Sequence, residues 1–212
     1  MKSADNIPER DFFITEDVVG LSRRLLGMKL ISASEKGRCV GIITETEAYL
    51  GETDRASHAY GGRRTARTEV MYREGGVAYV YLCYGIHSLL NVVAGPGNKP
   101  YAILIRGLYL LQGLDVMAEK LQRKKEIDVL KDGIGPGKLT KAMGIDLSHN
   151  GIELFRPGRL WLEETGLTFN GGMVKIGPRV GVEYAGEDAL LPYRFLVDNK
   201  TAAIEIKKAG LV

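Results

Sequence analysis

Two glutamates and a tyrosine alternate in the sequence ETEAY at residues 45–49. The preceding run, VGII at residues 40–43, is typical of a buried strand, and a two-residue period then places Glu45, Glu47 and Tyr49 on one face. A carboxylate at the end of a buried strand costs free energy unless it is paired, hydrogen-bonded or used in chemistry. A carboxylate beside an aromatic side chain predicts a pocket for a planar, electron-poor ring. The alternative is an edge strand whose two acids are solvated.

An aromatic residue at a predicted hairpin tip is the second candidate for a functional role. Residues 77–83 and 86–94 are rich in β-prone side chains and flank Tyr84-Gly85, which predicts a β-hairpin. Polar residues are usual at such a tip, so an exposed Tyr84 would suit insertion between base pairs. The alternative is that Tyr84 folds back onto the core.

Positive charge is concentrated in a long polar loop at residues 51–76, although the net charge of the chain is only +3. Arginine in a glycine-containing loop favours phosphate contacts, because its planar fork matches phosphate oxygens. The alternative is a solvated face for the five arginines of this loop, which are Arg55, Arg63, Arg64, Arg67 and Arg73. The sequence GIGPGK at residues 133–138 lacks the spacing of a nucleotide-binding loop. Its backbone N–H groups and Lys138 suit a DNA phosphate instead.

Helices and strands must position these residues. Thr15 predicts the N-cap of a helix that ends at Gly27, and further helices are predicted at residues 110–124 and 139–143. Strands are predicted by short β-prone or apolar runs at residues 28–34, 38–46, 101–106, 160–163, 173–176, 193–197 and 203–207.

The composition is typical of one folded domain. The 212 residues are 45% hydrophobic and 26% charged, and the chain lacks the run of about 18 apolar residues that a membrane span needs. We expect residues 1–212 to form a single domain with a flexible tail at residues 1–11, no secretion signal and no membrane contact. Cys39 and Cys83 lie in apolar runs and are predicted to be buried free thiols. Two cysteines and three scattered histidines provide no metal-ligand spacing.

Several motifs in a fixed order carry a resemblance to a known family. They are ETEAY at residues 45–49, His58 with GGR at 61–63, YVYLCYG at 79–85 followed by Asn91, LIR at 104–106, GPGKL at 135–139, and RVGV at 179–182 followed by Ala185-Gly186. In this order they resemble the alkyladenine (3-methyladenine) DNA glycosylases over roughly residues 12–197. The resemblance implies a mixed α+β single domain with a mainly antiparallel sheet, flanking helices and a protruding β-hairpin that enters the DNA minor groove.

The resemblance also implies roles for individual residues. Glu47 matches the catalytic acid that activates water, and Arg106 matches an arginine close to that water. Tyr84 matches the aromatic that inserts into the minor groove and fills the space left by the flipped base. The pocket for that base corresponds to five residues, of which the histidine also hydrogen-bonds the base edge and the last two shape the pocket against guanine: Tyr49, His58, Tyr81, Asn91 and Leu104.

The function implied by the resemblance is hydrolysis of the N-glycosidic bond of an alkylated or deaminated purine in double-stranded DNA, as in base excision repair. Glu45 is interpreted as a structural partner for an arginine or a backbone N–H, with a second catalytic acid as the alternative. No cofactor or metal is implied. No lysine is placed to form a Schiff base, so a monofunctional enzyme is expected. Contacts with the DNA backbone are expected from Arg63, Arg64, Arg67 and Lys138.

Two other classes of function stay open. A lesion-binding protein could flip a base without cleaving it, but it has no use for a carboxylate aimed at the sugar. An enzyme acting on free nucleosides needs neither Tyr84 at a hairpin tip nor an arginine-rich loop.

The choice among 3-methyladenine, 7-methylguanine, hypoxanthine and ethenoadenine also stays open, because the chain departs from the family pattern at residues 95–100 and at His87 and Ser88. We expect a monomer, located in the cytoplasm with the nucleoid if the source is bacterial and in the nucleus if it is eukaryotic.

Overall fold

The computed structural model describes residues 6–212, and its central feature is an eight-stranded sheet. The strands are β1 (Lys29–Ser34), β2 (Gly37–Tyr49), β3 (Ala78–Cys83), β4 (His87–Ala94), β5 (Tyr101–Gln112), β6 (Leu160–Glu163), β7 (Lys175–Gly177) and β8 (Arg194–Leu196). Their order is β3-β4-β5-β2-β1-β6, and β8 pairs with both β2 and β7. The helices are α1 (Val18–Arg24), α2 (Leu114–Lys120), α3 (Pro136–Met143) and α4 (Asn199–Lys208). All strand pairs are antiparallel, which confirms the predicted mixed α+β fold.

The longest strand, β2, lies at the centre of the sheet. Its first half pairs with β1, its last residues pair with β8, and β5 pairs with it along most of its length. Residues 39–48 of β2 are all buried. A strand covered on both faces is usually a continuous apolar run. The polar residues 44–47 in such a run therefore indicate a built site rather than a solvated surface.

Helix α1 begins two residues later than predicted. The Asp17 carboxylate accepts a hydrogen bond from the Gly20 amide at 2.8 Å, so Asp17 rather than Thr15 is the N-cap. The Thr15 hydroxyl instead accepts a hydrogen bond from the Asp17 amide at 3.1 Å. Aspartate and threonine are both good N-caps, so residue type alone does not choose between them.

The helix predicted at residues 110–124 is wrong at both ends, because α2 covers only Leu114–Lys120. Strand β5 continues to Gln112 because Leu108, Leu110 and Gln112 pair with residues of β2 as far as Val40. Gly113, with a φ of 76°, then turns the chain into α2. A short apolar run is compatible with either a helix or a strand, and here pairing with a distant strand decides.

The strand predicted at residues 203–207 is also wrong, because these residues lie within α4. The Asp198 carboxylate accepts a hydrogen bond from the Thr201 amide at 3.1 Å and caps the helix. The buried side chains are Asn199, Ala202 and Ile206, which follow a helical spacing. Helix α3 begins earlier than predicted, at Pro136, because proline is favoured in the first helical turn.

The remaining predictions concern loops, thiols and the N-terminus. Short 3-10 turns at Gly51–Thr53, Tyr60–Gly62 and Glu69–Tyr72 order the long loop. Cys39 is buried as predicted, whereas Cys83 is partly exposed because it ends β3 next to the hairpin tip.

Residues 1–5 of the predicted tail lie outside the described residues. The Asn6 carbonyl accepts a hydrogen bond from the Glu164 amide at 2.7 Å, and Ile7 packs near Trp161. Mobility of the tail stays a prediction. Among residues 6–212, every helix is too short or too polar to cross a lipid bilayer.

Candidate active site

The end of β2 buries two carboxylates. Glu45 and Glu47 are 5% and 0% exposed, because β5 pairs along one edge of this segment and β8 along the other. Tyr49 follows in the same strand, and its hydroxyl donates a hydrogen bond to Glu47 Oε2 at 2.8 Å. The alternative of solvated acids on an edge strand is therefore wrong.

Two hydrogen-bond donors and one arginine hold Glu47. Its Oε1 accepts a hydrogen bond from the Val180 amide at 2.8 Å and lies 3.2 Å from Arg106 Nε, while its Oε2 accepts from the Tyr49 hydroxyl. Burial raises the pKa of Glu47 above its ordinary value. Arg106, the Val180 amide and the Tyr49 hydroxyl oppose this rise, and nearby Glu45 adds to it. A carboxylate fixed by these partners and raised in proton affinity has the properties of a general base.

Glu45 serves the same site indirectly. Its Oε1 accepts hydrogen bonds from Arg106 Nε at 3.1 Å and from Arg194 Nε at 2.7 Å. Arg106, from β5, therefore bridges both carboxylates, and Arg194, from β8, is a second cation for Glu45. These contacts match the interpretation of Glu45 as a structural partner for an arginine. Two cations for two acids also explain how the pair is tolerated in the core.

An aromatic cavity of about 430 Å³ opens against this end of β2. Tyr49, Arg106 and Val180 line it, and all three contact Glu47, so this carboxylate lies directly behind the inner wall. The volume is in the range of small-molecule sites, roughly 300–1,000 Å³. The five pocket residues expected from the sequence all line this one cavity: Tyr49, His58, Tyr81, Asn91 and Leu104.

One wall of the cavity consists of packed aromatic rings. His58 and Tyr81 meet edge to face with centroids 4.6 Å apart, and Tyr79 lies 5.3 Å from Tyr81. His58 Nδ1 is 2.8 Å from the Tyr79 hydroxyl, and Arg67 Nη2 is 3.4 Å from His58 Nε2. Because arginine only donates, Nε2 is assigned as the acceptor and Nδ1 as the protonated nitrogen. Burial, together with Arg67 and Arg63, lowers the pKa of His58 to about 4, so the ring is neutral at neutral pH.

Strands β4 and β5 supply another part of the lining. Asn91 is 4% exposed and lies opposite Leu104 in the register of these strands. Its Nδ2 donates a hydrogen bond to the Tyr79 carbonyl at 3.1 Å, which fixes the orientation of the amide. A fixed amide beside a rigid apolar side chain can discriminate between the edges of different bases.

The hairpin of β3 and β4 carries Tyr84 at its tip. This side chain is 94% exposed, and Ile86 beside it is 73% exposed. Tyr84 and Gly85 have φ values of 51° and 75°, a left-handed conformation that non-glycine residues adopt uncommonly. The alternative in which Tyr84 folds back onto the core is wrong. Tyr84 also lines the mouth of the cavity, so the exposed tip and the pocket belong to one surface.

The residues that are expected to contact the DNA backbone differ in their surroundings. Arg63 is exposed, and Arg64 bonds Glu69 through Nη2 at 2.7 Å. Arg67 lies 4.7 Å above the Tyr81 ring and lines the cavity. Lys138 Nζ pairs with the Asp132 carboxylate at 2.9 Å and donates to a backbone carbonyl. The structure therefore brings Arg67 to the pocket, while Arg64 and Lys138 are engaged elsewhere.

Sequence reasoning missed several residues of the site. Tyr79 is 1% exposed and lines the cavity, and Tyr184 lies at its mouth with its hydroxyl donating to the Ala56 carbonyl at 3.1 Å. The Val180 amide and the buried pair of Arg179 and Asp54 were given no role. The alternation of Tyr79 with Tyr81 could have identified the first of these. A backbone donor and a long-range ion pair leave no such pattern in the sequence.

A sequence profile of the methylpurine-DNA glycosylase family matches residues 12–201. The chain belongs to this family. A protein of Chlamydia pneumoniae is 43% identical over 190 residues, which cover 89% of this chain and 94% of that protein. A protein of Chlamydia felis is 41% identical over 195 residues, which cover 92% of this chain and 97% of that protein. A protein of Bacillus licheniformis is 42% identical over 185 residues, which cover 87% of this chain and 90% of that protein. All three carry the name "Putative 3-methyladenine DNA glycosylase".

Membership of the methylpurine-DNA glycosylase family confirms the resemblance on which the sequence interpretation rested. It makes the chain an enzyme of the DNA glycosylase class, a hydrolase whose substrate is DNA. The matched range, residues 12–201, contains every residue that contacts Glu47 and every residue that lines the aromatic cavity. The site described above is therefore part of the family's shared sequence range.

Proposed function

We propose that this glycosylase hydrolyses the N-glycosidic bond of an alkylated or deaminated purine that is flipped out of double-stranded DNA, leaving an abasic site for base excision repair. One observation carries the proposal. Glu47 is completely buried, is held by two hydrogen-bond donors and an arginine, and lies directly behind a cavity of about 430 Å³ with an aromatic wall. A purely structural carboxylate has no need of an adjacent cavity of this size.

The cavity walls suit a flipped purine. Stacking of a base on aromatic rings contributes about 1–3 kcal/mol and depends weakly on which base is stacked. An alkylated purine is often cationic and gains further from the electron-rich faces of Tyr49 and Tyr81 that Arg179 and Arg67 leave open. In this proposal Asn91 and Leu104, which lie opposite each other on β4 and β5, exclude bases whose edges do not fit between them. His58, neutral at neutral pH, offers Nε2 as a hydrogen-bond acceptor once Arg67 moves away, and it does not repel a cationic base.

The proposed reaction forms one C–O bond and breaks one C–N bond. The oxygen of water bonds to C1′ of the deoxyribose, and Glu47 accepts the proton that this water loses. The electron pair of the glycosidic bond leaves with the base, so a cationic alkylpurine departs neutral. A neutral lesion such as hypoxanthine departs as an anion and takes its proton from solvent water. Arg106 holds Glu47 in place and keeps it ionised as positive charge develops on the sugar.

DNA binding requires contacts outside the cavity. In this proposal Tyr84, which is exposed at the hairpin tip, enters the minor groove and holds the space left by the flipped nucleotide. Arg63 is free to contact the flanking phosphates, and Arg64, Arg67 and Lys138 can do so if they leave their present partners. We propose a monomeric, monofunctional enzyme, in which water rather than a lysine is the nucleophile. Borohydride treatment of an enzyme–DNA mixture should then trap no covalent adduct.

The test is base release from a duplex with a single hypoxanthine or ethenoadenine, measured under single-turnover conditions. Wild-type protein should give free base and an alkali-labile abasic site, and Glu47→Gln should be slower by about 10³-fold, since general-base catalysis contributes about 10²–10⁴-fold. Glu52→Gln removes an exposed carboxylate from the adjacent loop and serves as the matched charge control.

Two outcomes would contradict the proposal. If Glu47→Gln released base at nearly the wild-type rate, Glu47 would not be the base. If wild-type protein bound the lesion duplex but released neither neutral nor cationic methylated purines, the chain would be a lesion-binding protein that flips without cleaving.

A further inference from the structure

A completely buried ion pair lies beside the site and takes no part in the proposed reaction. The side chains of Arg179 and Asp54 are 0% and 2% exposed. Arg179 Nη2 donates to Asp54 Oδ1 at 2.9 Å, and Nη1 donates to Oδ2. Nη1 also donates to the Ala48 carbonyl and Nη2 to the Asp188 carbonyl, both at 3.0 Å. One guanidinium thus joins the end of β2, the following loop and the segment before β8.

Both partners of this pair contact elements that build the site. The Arg179 guanidinium lies 4.7 Å above the Tyr49 ring, and Arg179 directly precedes Val180, whose amide donates to Glu47 at 2.8 Å. Asp54 also accepts hydrogen bonds from the Leu50 and Ala56 amides, each at 3.0 Å, and so fixes the loop that leads to His58.

A buried ion pair is a poor device for stability alone. The cost of desolvating two charges often exceeds their mutual attraction, and apolar residues of similar volume are commonly as stable or more so. What a guanidinium adds is geometry, because its planar fork fixes several acceptors in one plane. Here those acceptors belong to three separate chain segments, which are the end of β2, the following loop and the segment before β8.

We propose that the Arg179–Asp54 pair is a positioning device for the reaction, which holds the Val180 amide on Glu47 and fixes the Tyr49 ring that faces the base. This inference rests on the proposed function, in which Glu47 is the base. Arg179 and Asp54 act through Val180 and Tyr49 and touch neither the water nor the sugar.

The inference has a consequence for pH dependence with a definite sign. The Val180 amide and Arg106 both lower the pKa of Glu47 against the effect of burial. Loss of the Val180 contact therefore raises the pKa of Glu47 further. Because base release requires ionised Glu47, the acid limb of the rate profile moves to higher pH. The titratable and charged groups around Glu47 are Arg106 from β5, Glu45 and Tyr49 from its own strand, Arg194 from β8, and Arg179, whose charge interacts with Glu47.

The experiment compares Arg179→Gln, Arg179→Lys and Asp54→Asn with wild-type protein. The rate of base release is measured against pH under single-turnover conditions, and affinity is measured for a duplex that carries an abasic site. Ile206→Val is the matched control for a general loss of stability, because Ile206 is buried on α4 and does not line the cavity. Melting temperatures show which variants fold.

Arg179→Gln should be slower by about 10²-fold at neutral pH, since a misplacement of about 1 Å at a reacting group has an effect of this size. Its acid limb should move to higher pH, and affinity for abasic DNA should stay near wild type. Arg179→Lys keeps the charge without the fork and should recover part of the rate. Asp54→Asn keeps one of the two oxygens that accept from the loop amides, and it tests the pair if Arg179→Gln does not fold.

The inference is overturned if folded Arg179 and Asp54 variants keep the wild-type acid limb and lose activity only in proportion to their loss of stability, as Ile206→Val does. Failure of the proposed function is a separate outcome. In that case the wild-type protein itself releases no base, or Glu47→Gln remains active.

Discussion

The buried end of β2 and the tip of the β3–β4 hairpin are opposite in physical character. At the end of β2, two carboxylates are almost completely inaccessible, and several donors and two arginines satisfy them. At the hairpin tip, Tyr84 and Ile86 expose large apolar surfaces to solvent. Polar groups are thus inside and apolar groups outside, which reverses the usual arrangement of a globular protein.

The side chains of the two regions form their stabilising interactions at different stages, those of β2 on folding and Tyr84 on DNA binding. The network around Glu47 is assembled during folding, so its cost is met before substrate arrives and its geometry is fixed when charge develops. Tyr84 gains little from the folded protein itself, because burial of its ring requires a partner. Substitutions at the end of β2 should therefore change stability and chemistry together, whereas those at the tip should change only the interaction with DNA.

The largest expected effect on stability is that of Glu45→Gln. It leaves Arg106 and Arg194, which are 14% and 29% exposed, without their shared carboxylate, although Arg106 keeps Glu47. Breaking a buried ion pair costs about 3–5 kcal/mol, and partial exposure of Arg194 favours the lower value. Chemical denaturation should show a loss of about 3 kcal/mol. Glu119→Gln, which disrupts an exposed pair with Lys36, should change stability by less than about 1 kcal/mol.

Glu45→Gln also has an effect on chemistry with an expected direction. Glu45 raises the pKa of Glu47, so its neutralisation should move the acid limb of base release to lower pH in the molecules that remain folded. A stable Glu45→Gln protein with an unchanged acid limb would show that the two carboxylates are energetically independent.

The second prediction concerns Tyr84→Ala. Loss of the wedge should slow base release from duplex DNA by about 10–100-fold, which corresponds to the roughly 1–3 kcal/mol of a stacked aromatic. The melting temperature should not change, because the ring is 94% exposed. Tyr84→Phe should remain close to wild type. Equal losses on duplex and on single-stranded DNA carrying the same lesion would contradict a role in holding the duplex open.

The third prediction concerns the pH dependence of the pocket, in which Glu47 and His58 should titrate differently. The rate of base release should fall on acidification with a midpoint above the ordinary pKa of a glutamate, because burial raises the pKa of Glu47. His58 should add no transition near neutrality, since its pKa is about 4. The measurement is an NMR titration of the three histidines, with His58→Gln to assign the signal. A His58 midpoint near its ordinary value would show that the ring is more hydrated than its position in the cavity indicates.

The contrast between the two regions also explains what could be read from the sequence. ETEAY and the tyrosine at the tip are local patterns, in which residue type conflicts with the environment that the neighbouring residues predict. The resemblance to a family then supplied the roles. The Arg179–Asp54 pair joins residues 125 positions apart, and the Val180 amide carries no side-chain identity at all. The extension of β5 to Gln112 likewise depends on pairing with β2. Contacts of this kind exist only after the chain has folded.

The smallest expected effect is that of Arg67→Ala. Arg67 lies where the pocket wall meets the surface that is predicted to contact DNA. In the free protein its guanidinium packs over Tyr81 and approaches His58 Nε2. If Arg67 moves to a phosphate when DNA binds, the slope of log affinity against log salt should fall by about 1 in the variant. Arg23→Ala, at an exposed arginine of α1 outside the aromatic cavity, should leave the slope unchanged.

An unchanged salt slope in Arg67→Ala, together with altered affinity for the free base, would instead assign Arg67 to the pocket wall. A cation fixed over Tyr81 opposes the binding of a positively charged purine at the same face. In that case Arg67→Ala should favour cationic methylated purines over hypoxanthine, and the ratio of the two rates of base release measures the effect. Arg67 would then belong to the buried pocket and not to the exposed surface that contacts DNA.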